Sequence, residues 1–120
     1  MESEHLSPTK LAELHNLKDN WDGYNGLASD TIIIDKVEEF IKNLPQKYLD
    51  SLSEDGIFPN PHGTISVEWR KGYNVVSIEF GKTTSSFYSV LDGNNESEED
   101  MSDILASKKL INVLDAIIKS

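Results

Sequence analysis

The feature that most constrains this chain is an alternation of apolar and polar residues over three consecutive runs in its second half. The runs cover 65–70, 76–80 and 83–91, and a two-residue period places every second side chain on the same face of a strand. Lys71-Gly72 and Gly81-Lys82 separate the runs and are typical of tight hairpin turns. The pattern predicts an antiparallel meander of three to four strands, the fourth being a short one near Ile57-Phe58.

Two-residue hairpin loops would also fix the register of this meander, and with it the composition of its two faces. Counting outward from the turns pairs Ile65 with Ile78, and Val76 with both Val67 and Phe87. One face then carries the apolar side chains that must pack against helices: Ile65, Val67, Trp69, Val76, Ile78, Phe80 and Phe87. The opposite face carries Ser66, Glu68, Arg70, Ser77, Glu79 and Ser86, with Tyr73, Val75, Tyr88 and Val90 near one end.

Two helices are predicted before the meander. Ser7-Pro8 suits a helix start, because the serine hydroxyl can cap and proline fits the first turn. Ser29-Asp30 begins the second, whose apolar residues recur at helical spacing until Leu44-Pro45 ends it. Residues 46–52 add a short helical turn.

The segment after the meander divides into a loop and a last helix. Residues 92–101 are rich in acids and include Gly93-Asn94-Asn95, so we expect an acidic flexible loop there. An amphipathic helix is predicted from a cap at Ser102 to about Lys119. The predicted fold class is α+β: two N-terminal helices, an antiparallel β-meander and a C-terminal helix, in a single domain over residues 1–120.

Composition excludes several classes of function. Eleven basic residues against 21 acidic ones give a net charge of −10, so neither nucleic acid nor an anionic membrane surface is an expected partner. No apolar run exceeds three residues and the N-terminus is acidic, so we expect no transmembrane segment, no signal peptide and a cytoplasmic protein. Without cysteine there is no disulfide or thiolate nucleophile. The charge serves solubility, or it favours a partner with a basic surface, including a protein that binds nucleic acid.

The densest cluster of aromatic, glycine and short polar residues lies between Asn20 and Gly26 and contains Trp21, Asp22 and Tyr24. It does not match a calcium loop, because Lys18 and Ser29 would occupy the first and twelfth ligand positions. It also lacks the glycine spacing and lysine of a phosphate loop. We expect a structural corner in which Asp22 binds backbone amides, with a ligand or partner loop as the alternative.

The remaining candidates for chemistry are weak. His5, His15 and His62 share no metal-ligand spacing, so neither a metal nor another cofactor is expected, and His62 is predicted to be an exposed turn residue. Glu68 and Glu79 share a face in the predicted register but lie about 13 Å apart along the strands, beyond the separation of glycosidase carboxylates.

Three segments together resemble a group of small bacterial proteins. The segments are Asn20-Trp21-Asp22-Gly23-Tyr24, the helix that ends at Leu44-Pro45, and Pro59-Asn60-Pro61-His62-Gly63 leading into a strand that ends at Glu68-Trp69. One departure is Ala28-Ser29, where the group usually has proline. The resemblance implies a bacterial cytoplasmic protein with the same order of helices and strands, and it carries over no functional residue.

Two functions follow as hypotheses. The first is a non-catalytic protein that binds a basic protein partner, as an immunity protein, antitoxin or adaptor does, through an anchor of Tyr73, Val75, Tyr88 and Val90 rimmed by Glu68 and Glu79. The alternative is a small enzyme or ligand-binding domain with its site at Trp21-Asp22-Gly23-Tyr24. It is also open that the C-terminal segment or another subunit covers the same sheet face, the latter in a homodimer.

Overall fold

A computed structural model describes residues 30–120 and confirms the α+β class. Its helices are α1 (Thr31–Asn43), α2 (Gln46–Leu49) and α3 (Lys108–Lys119), and its strands are β1 (Ile57–Pro59), β2 (Ile65–Lys71), β3 (Asn74–Phe80), β4 (Ser85–Leu91) and β5 (Asn94–Met101). Short 3-10 turns occupy Glu54–Gly56 and Ile104–Ala106. The strands form one antiparallel sheet in the order β1-β2-β3-β4-β5.

The helix predicted after Ser29 is confirmed as α1. Asp30 caps it, since its Oδ1 accepts a hydrogen bond of 2.9 Å from the amide of Ile32. Its buried stripe is Ile33, Ile34, Val37 and Phe40, and the helix ends before Leu44-Pro45. The predicted turn after Pro45 is confirmed as α2. The helix predicted at Ser7-Pro8 and the loop containing Trp21, Asp22 and Tyr24 lie outside the described residues.

The C-terminal helix begins later than predicted. Ser107, not Ser102, is the N-cap, and its hydroxyl accepts from the amide of Leu110 at 3.1 Å. Residues 104–106 form a 3-10 turn before it. None of the described helices is long and apolar enough to cross a membrane.

The core lies between the helices and one face of the sheet, which we call the inner face. Trp69, Ile65 and Val67 are buried on it, as predicted, together with residues of α1 and α3. The Nε1 of Trp69 donates to the carbonyl of Tyr48 at 2.9 Å, so the largest core side chain has its polar atom satisfied. This packing leaves the other side of the sheet, the outer face, without a described helix on it.

The predicted register is wrong by two residues at both hairpins. Trp69, not Val67, pairs with Val76, and Ile78, not Val76, pairs with Phe87. The first turn is Gly72-Tyr73, with Gly72 at φ 60°, because a two-residue hairpin needs a positive φ at its first loop residue and a lysine there would be strained. The second loop has four residues, 81–84, closed by a 3.1 Å bond from the Gly81 amide to the Thr84 carbonyl. A shift of two leaves the side chains of the strands on their predicted faces, but Tyr73, predicted on the outer face, lies in the turn.

The predicted flexible loop over residues 92–101 is also wrong, because the chain forms β5 there. Asp92 and Gly93 have φ values of 51° and 83°, the conformation of a tight turn that returns the chain alongside β4. Acidic side chains on an edge strand remain hydrated and discourage edge-to-edge pairing. The Oε1 of Glu98 accepts from Ser107 Oγ at 2.6 Å and ties the strand to the start of α3. The sheet therefore has five strands instead of three to four.

Candidate binding surface on the outer face of the sheet

The outer face is built from alternate residues of the five strands. Cross-strand pairing arranges them in rows, and the middle row consists of Glu68, Ser77, Tyr88 and Ser97. A row toward one end contains Phe58, Ser66, Glu79 and Ser86, with Glu99 near the bulge in β5. These two rows line a depression of about 390 Å³. We call it the outer-face depression.

The predicted anchor is only partly assembled. Val75 and Val90 are directly paired in the third row, beside Tyr88. Val75 is buried, whereas Tyr88 is 48% exposed, so Tyr88 offers most of the accessible aromatic surface. Tyr73 lies in the β2–β3 turn, where it is 98% exposed and packs on nothing. The structure therefore brings Val75, Tyr88 and Val90 together and leaves Tyr73 apart from them.

Glu79 belongs to a hydrogen-bonded cluster that the sequence did not reveal. Its Oε2 accepts from Thr64 Oγ1 at 2.6 Å and lies 2.7 Å from His62 Nε2. The hydrogen bond from Thr64 and then that from His62 lower the pKa of Glu79, because both favour the carboxylate. His62 has a side chain that is 66% exposed, as predicted for a turn residue, yet it contacts a strand glutamate. The corrected register explains this, since Glu79 pairs with Ser66 beside the β1–β2 turn.

Glu68 is held at the other side of the depression by an ion pair. Both Nε and Nη2 of Arg70 contact Glu68 Oε2, at 3.1 and 3.0 Å. The Glu68 side chain is only 16% exposed. Because Arg70 and Glu68 project from the same strand on the same face, the pair fixes the glutamate without closing the depression.

The distance argument against a Glu68–Glu79 carboxylate pair fails in the observed register. The two residues are diagonal neighbours on adjacent strands, a relation that places Cβ atoms roughly 7–8 Å apart. Glycosidase chemistry also needs a general acid with a raised pKa, and the pKa of Glu79 is lowered while Glu68 is paired with Arg70. Glu79 therefore does not suit the role of that acid.

Neither a nucleophilic relay nor a metal centre is built in the described part of the chain. In a relay, one ring nitrogen of histidine contacts the nucleophile and the other contacts the orienting carboxylate. Here the same atom, His62 Nε2, lies 3.0 Å from Thr64 Oγ1 and 2.7 Å from Glu79. No group of three or more histidine or carboxylate side chains within residues 30–120 is arranged to hold a metal ion.

Comparison of the chain with protein-family models, with curated proteins and with solved structures found no match.

Proposed function

We propose that this chain is a non-catalytic bacterial protein of the cytoplasm that binds a basic surface of a partner protein, in the manner of an immunity protein, antitoxin or adaptor. The observation that carries the proposal is the outer face of the sheet, where three glutamates and a half-exposed tyrosine surround an open depression. The described helices all pack on the inner face, so none of them covers this surface.

Charge supports a basic partner. Glu68, Glu79 and Glu99 line the depression, and Arg70 is the one cationic side chain among the outer-face residues of the middle strands. The whole chain has a net charge of −10. A field of one sign over a small domain raises association rates with an oppositely charged partner and disfavours acidic ones.

Tyr88 supplies the contact area that charge alone does not give. Interface energy concentrates in a few aromatic or arginine side chains near the centre of a contact, surrounded by polar residues that exclude water. Tyr88 lies between Ser77 and Ser97 in the middle row and packs beside Val90. It is therefore the residue expected to bury most area against the partner.

The same surface disfavours the homodimer alternative. A two-fold symmetric dimer would place the outer face against its own copy and bring the three glutamates of each chain toward one another. Like charges in contact oppose association. The enzyme alternative depends on Trp21, Asp22 and Tyr24, which lie outside the described residues, so no observation here favours it.

The test is capture of the partner from the native cell with tagged parent and variant chains, followed by kinetics with the purified partner. Tyr88→Ala removes the anchor, and Glu99→Lys reverses an exposed charge at the depression. Asp35→Lys on α1 is the matched control, because it makes the same charge change on an exposed helix residue. We expect the parent and the control to retain a partner that both outer-face variants lose. Unaltered rate and affinity in Tyr88→Ala and Glu99→Lys would exclude this face.

A further inference from the structure

The centre of the outer face holds a hydroxyl group that has no hydrogen-bond partner among the described residues. Ser77 is only 6% exposed and lines the depression, yet its Oγ forms no hydrogen bond with any described residue. The Ser77 oxygen is not sealed off from solvent, so it opens into the depression, where a bound group can reach it. Ser66, in the neighbouring row, differs, since its hydroxyl accepts from Asn60 Nδ2 at 3.0 Å.

Two further acceptors flank Ser77. Glu68 lies directly across from it on β2, and Glu79 is two residues further along β3. Arg70 contacts only Oε2 of Glu68, and Thr64 and His62 contact only Oε2 of Glu79. The Oε1 atom of each carboxylate therefore has no described partner. Cross-strand neighbours have Cβ atoms about 4.5–5.5 Å apart and diagonal ones somewhat less than about 7–8 Å apart, so the register places the three side chains close enough to share one bound group.

Three acceptor atoms, two of them on carboxylates of which Arg70 neutralises only one, match one chemical group best. A primary ammonium has three donors, no acceptor and one positive charge, so it can donate one hydrogen bond to each oxygen. A guanidinium group is planar and binds best to both oxygens of one carboxylate. Here one oxygen of each carboxylate is already in use, on Glu68 by Arg70 and on Glu79 by Thr64 and His62. Phosphates and carboxylates are repelled by the glutamates.

We infer that the outer-face depression receives a lysine side chain of the basic partner, with its ammonium bound by Ser77 Oγ and by the Oε1 atoms of Glu68 and Glu79. The inference rests on the proposed function, because it names the partner group that this face selects. The lysine stem would pack along the Tyr88 ring, which borders Ser77 in the middle row. The ion pair with Arg70 positions Glu68 for this contact.

A titration followed by NMR tests the inference without the partner. The probe is Nα-acetyl-lysine N-methylamide at low ionic strength and neutral pH, compared with its norleucine and arginine counterparts. We expect saturable shifts centred on the amides of Ser77 and Tyr88, with a dissociation constant on the order of 1–10 mM for so small a ligand. The arginine probe should bind more weakly, and the norleucine probe should produce no saturable shift.

Ser77→Ala removes the central hydroxyl group and should weaken lysine-probe binding by about tenfold or more, the value of one hydrogen bond to a charged group. Ser89→Ala is the matched control. Ser89 is 1% exposed and its hydroxyl also has no partner in the structure, but it lies on the inner face of the same sheet. This control should bind the probe like the parent. Both variants remove a single oxygen atom, and their thermal unfolding would confirm that they fold.

The outcomes separate the inference from the proposed function. Equal shifts with all three probes, shifts centred on the acidic residues of β5, or unchanged binding in Ser77→Ala would each overturn the lysine site. If the Tyr88→Ala and Glu99→Lys variants nevertheless fail to bind the partner, the proposed function stands without the lysine site. If the partner binds all outer-face variants like the parent, the proposed function fails, and the assignment of a partner lysine fails with it.

Discussion

At the scale of single residues, Trp69 connects three parts of the core. It lies on β2, its ring meets Phe40 of α1 edge-on at 6.5 Å, and its Nε1 bonds to the Tyr48 carbonyl of α2. We expect Trp69→Ala to lower the free energy of unfolding by about 3–5 kcal/mol, measured by urea denaturation. Trp69→Phe keeps most of the apolar volume and loses the hydrogen bond, so its cost should be smaller. A midpoint for Trp69→Ala close to that of the parent would contradict this description of the core.

Glu79 should make stability depend on pH. Its pKa in the folded chain lies below the usual value of 4.5, so its carboxylate stabilises the fold above that pH, and this contribution is lost as pH falls through the folded pKa. Glu79→Gln should therefore flatten the fall in unfolding free energy between about pH 6 and 3. The effect should be modest, because the side chain is 42% exposed and solvent screens it.

The control for this pH dependence is Glu99→Gln, which changes an exposed glutamate with no hydrogen bond to a described residue. Urea denaturation at several pH values compares the two variants with the parent. If Glu79→Gln and Glu99→Gln showed the same pH dependence, the contacts with Thr64 and His62 would contribute nothing to stability.

At the scale of elements, the spacing of apolar residues predicted β2, β3, β4 and α1. Each of these elements buries one face, so its apolar residues recur with the period of a strand or of a helix. Register depended on a different kind of information. The sequence allows Gly72 to be either the first or the second residue of a two-residue turn. The observed pairing follows only from the requirement for a positive φ at the first position. Because both hairpins shifted by an even number of residues, the faces were right although the pairs were wrong.

The strand β5 was missed because its composition resembles that of a loop. Acidic residues are depleted in strands on average, but an edge strand needs only one neighbour and can keep its charged side chains in water. Asp92-Gly93 was the available signal, since Asp-Gly between two runs favours a hairpin. The contacts of Glu98 with Ser107 could not be predicted without the position of α3.

The β4–β5 turn provides a test of this element. A Cβ added at Gly93 would meet no atom within 4 Å, so the cost of Gly93→Ala comes only from its φ of 83°. We expect a loss of about 1 kcal/mol in unfolding free energy, because an L residue is strained in the left-handed region. Asp92→Asn should be neutral or slightly stabilising, since asparagine tolerates that region well. No loss in Gly93→Ala would mean that the turn has another conformation in solution.

At the scale of the whole molecule, the candidate surface was predicted in part. The alternation placed Glu68, Glu79 and Tyr88 on one face, and this held because a strand's two-residue period does not depend on its register. The depression around Ser77 did depend on register, because the predicted pairing of Ile65 with Ile78 implied that Glu79 lies opposite Thr64, whereas it pairs with Ser66. The shape of this surface therefore could not be predicted without knowing which residues pair across the strands, and no local sequence pattern contains that.

Association with a basic partner should slow steeply as salt is added. Electrostatic steering acts over the Debye length, which falls from about 30 Å at 0.01 M to about 3 Å at 1 M ionic strength. We expect the association rate constant, measured by stopped flow, to fall at least about tenfold between low salt and 0.5 M, while the dissociation rate changes less. Self-association through apolar side chains would instead leave the sedimentation-derived mass nearly independent of salt.

Two charge variants separate the field of the whole molecule from that of the outer face. Glu99→Lys and Asp35→Lys make the same change to the net charge of −10, one at the depression and the other on α1. Because screened interactions decay within about 10 Å at 0.1 M ionic strength, only the nearer charge should act strongly on a docked partner. Glu99→Lys should therefore slow association more and flatten its salt dependence more than Asp35→Lys. Equal effects of the two variants would assign the steering to net charge and remove the electrostatic argument for this face.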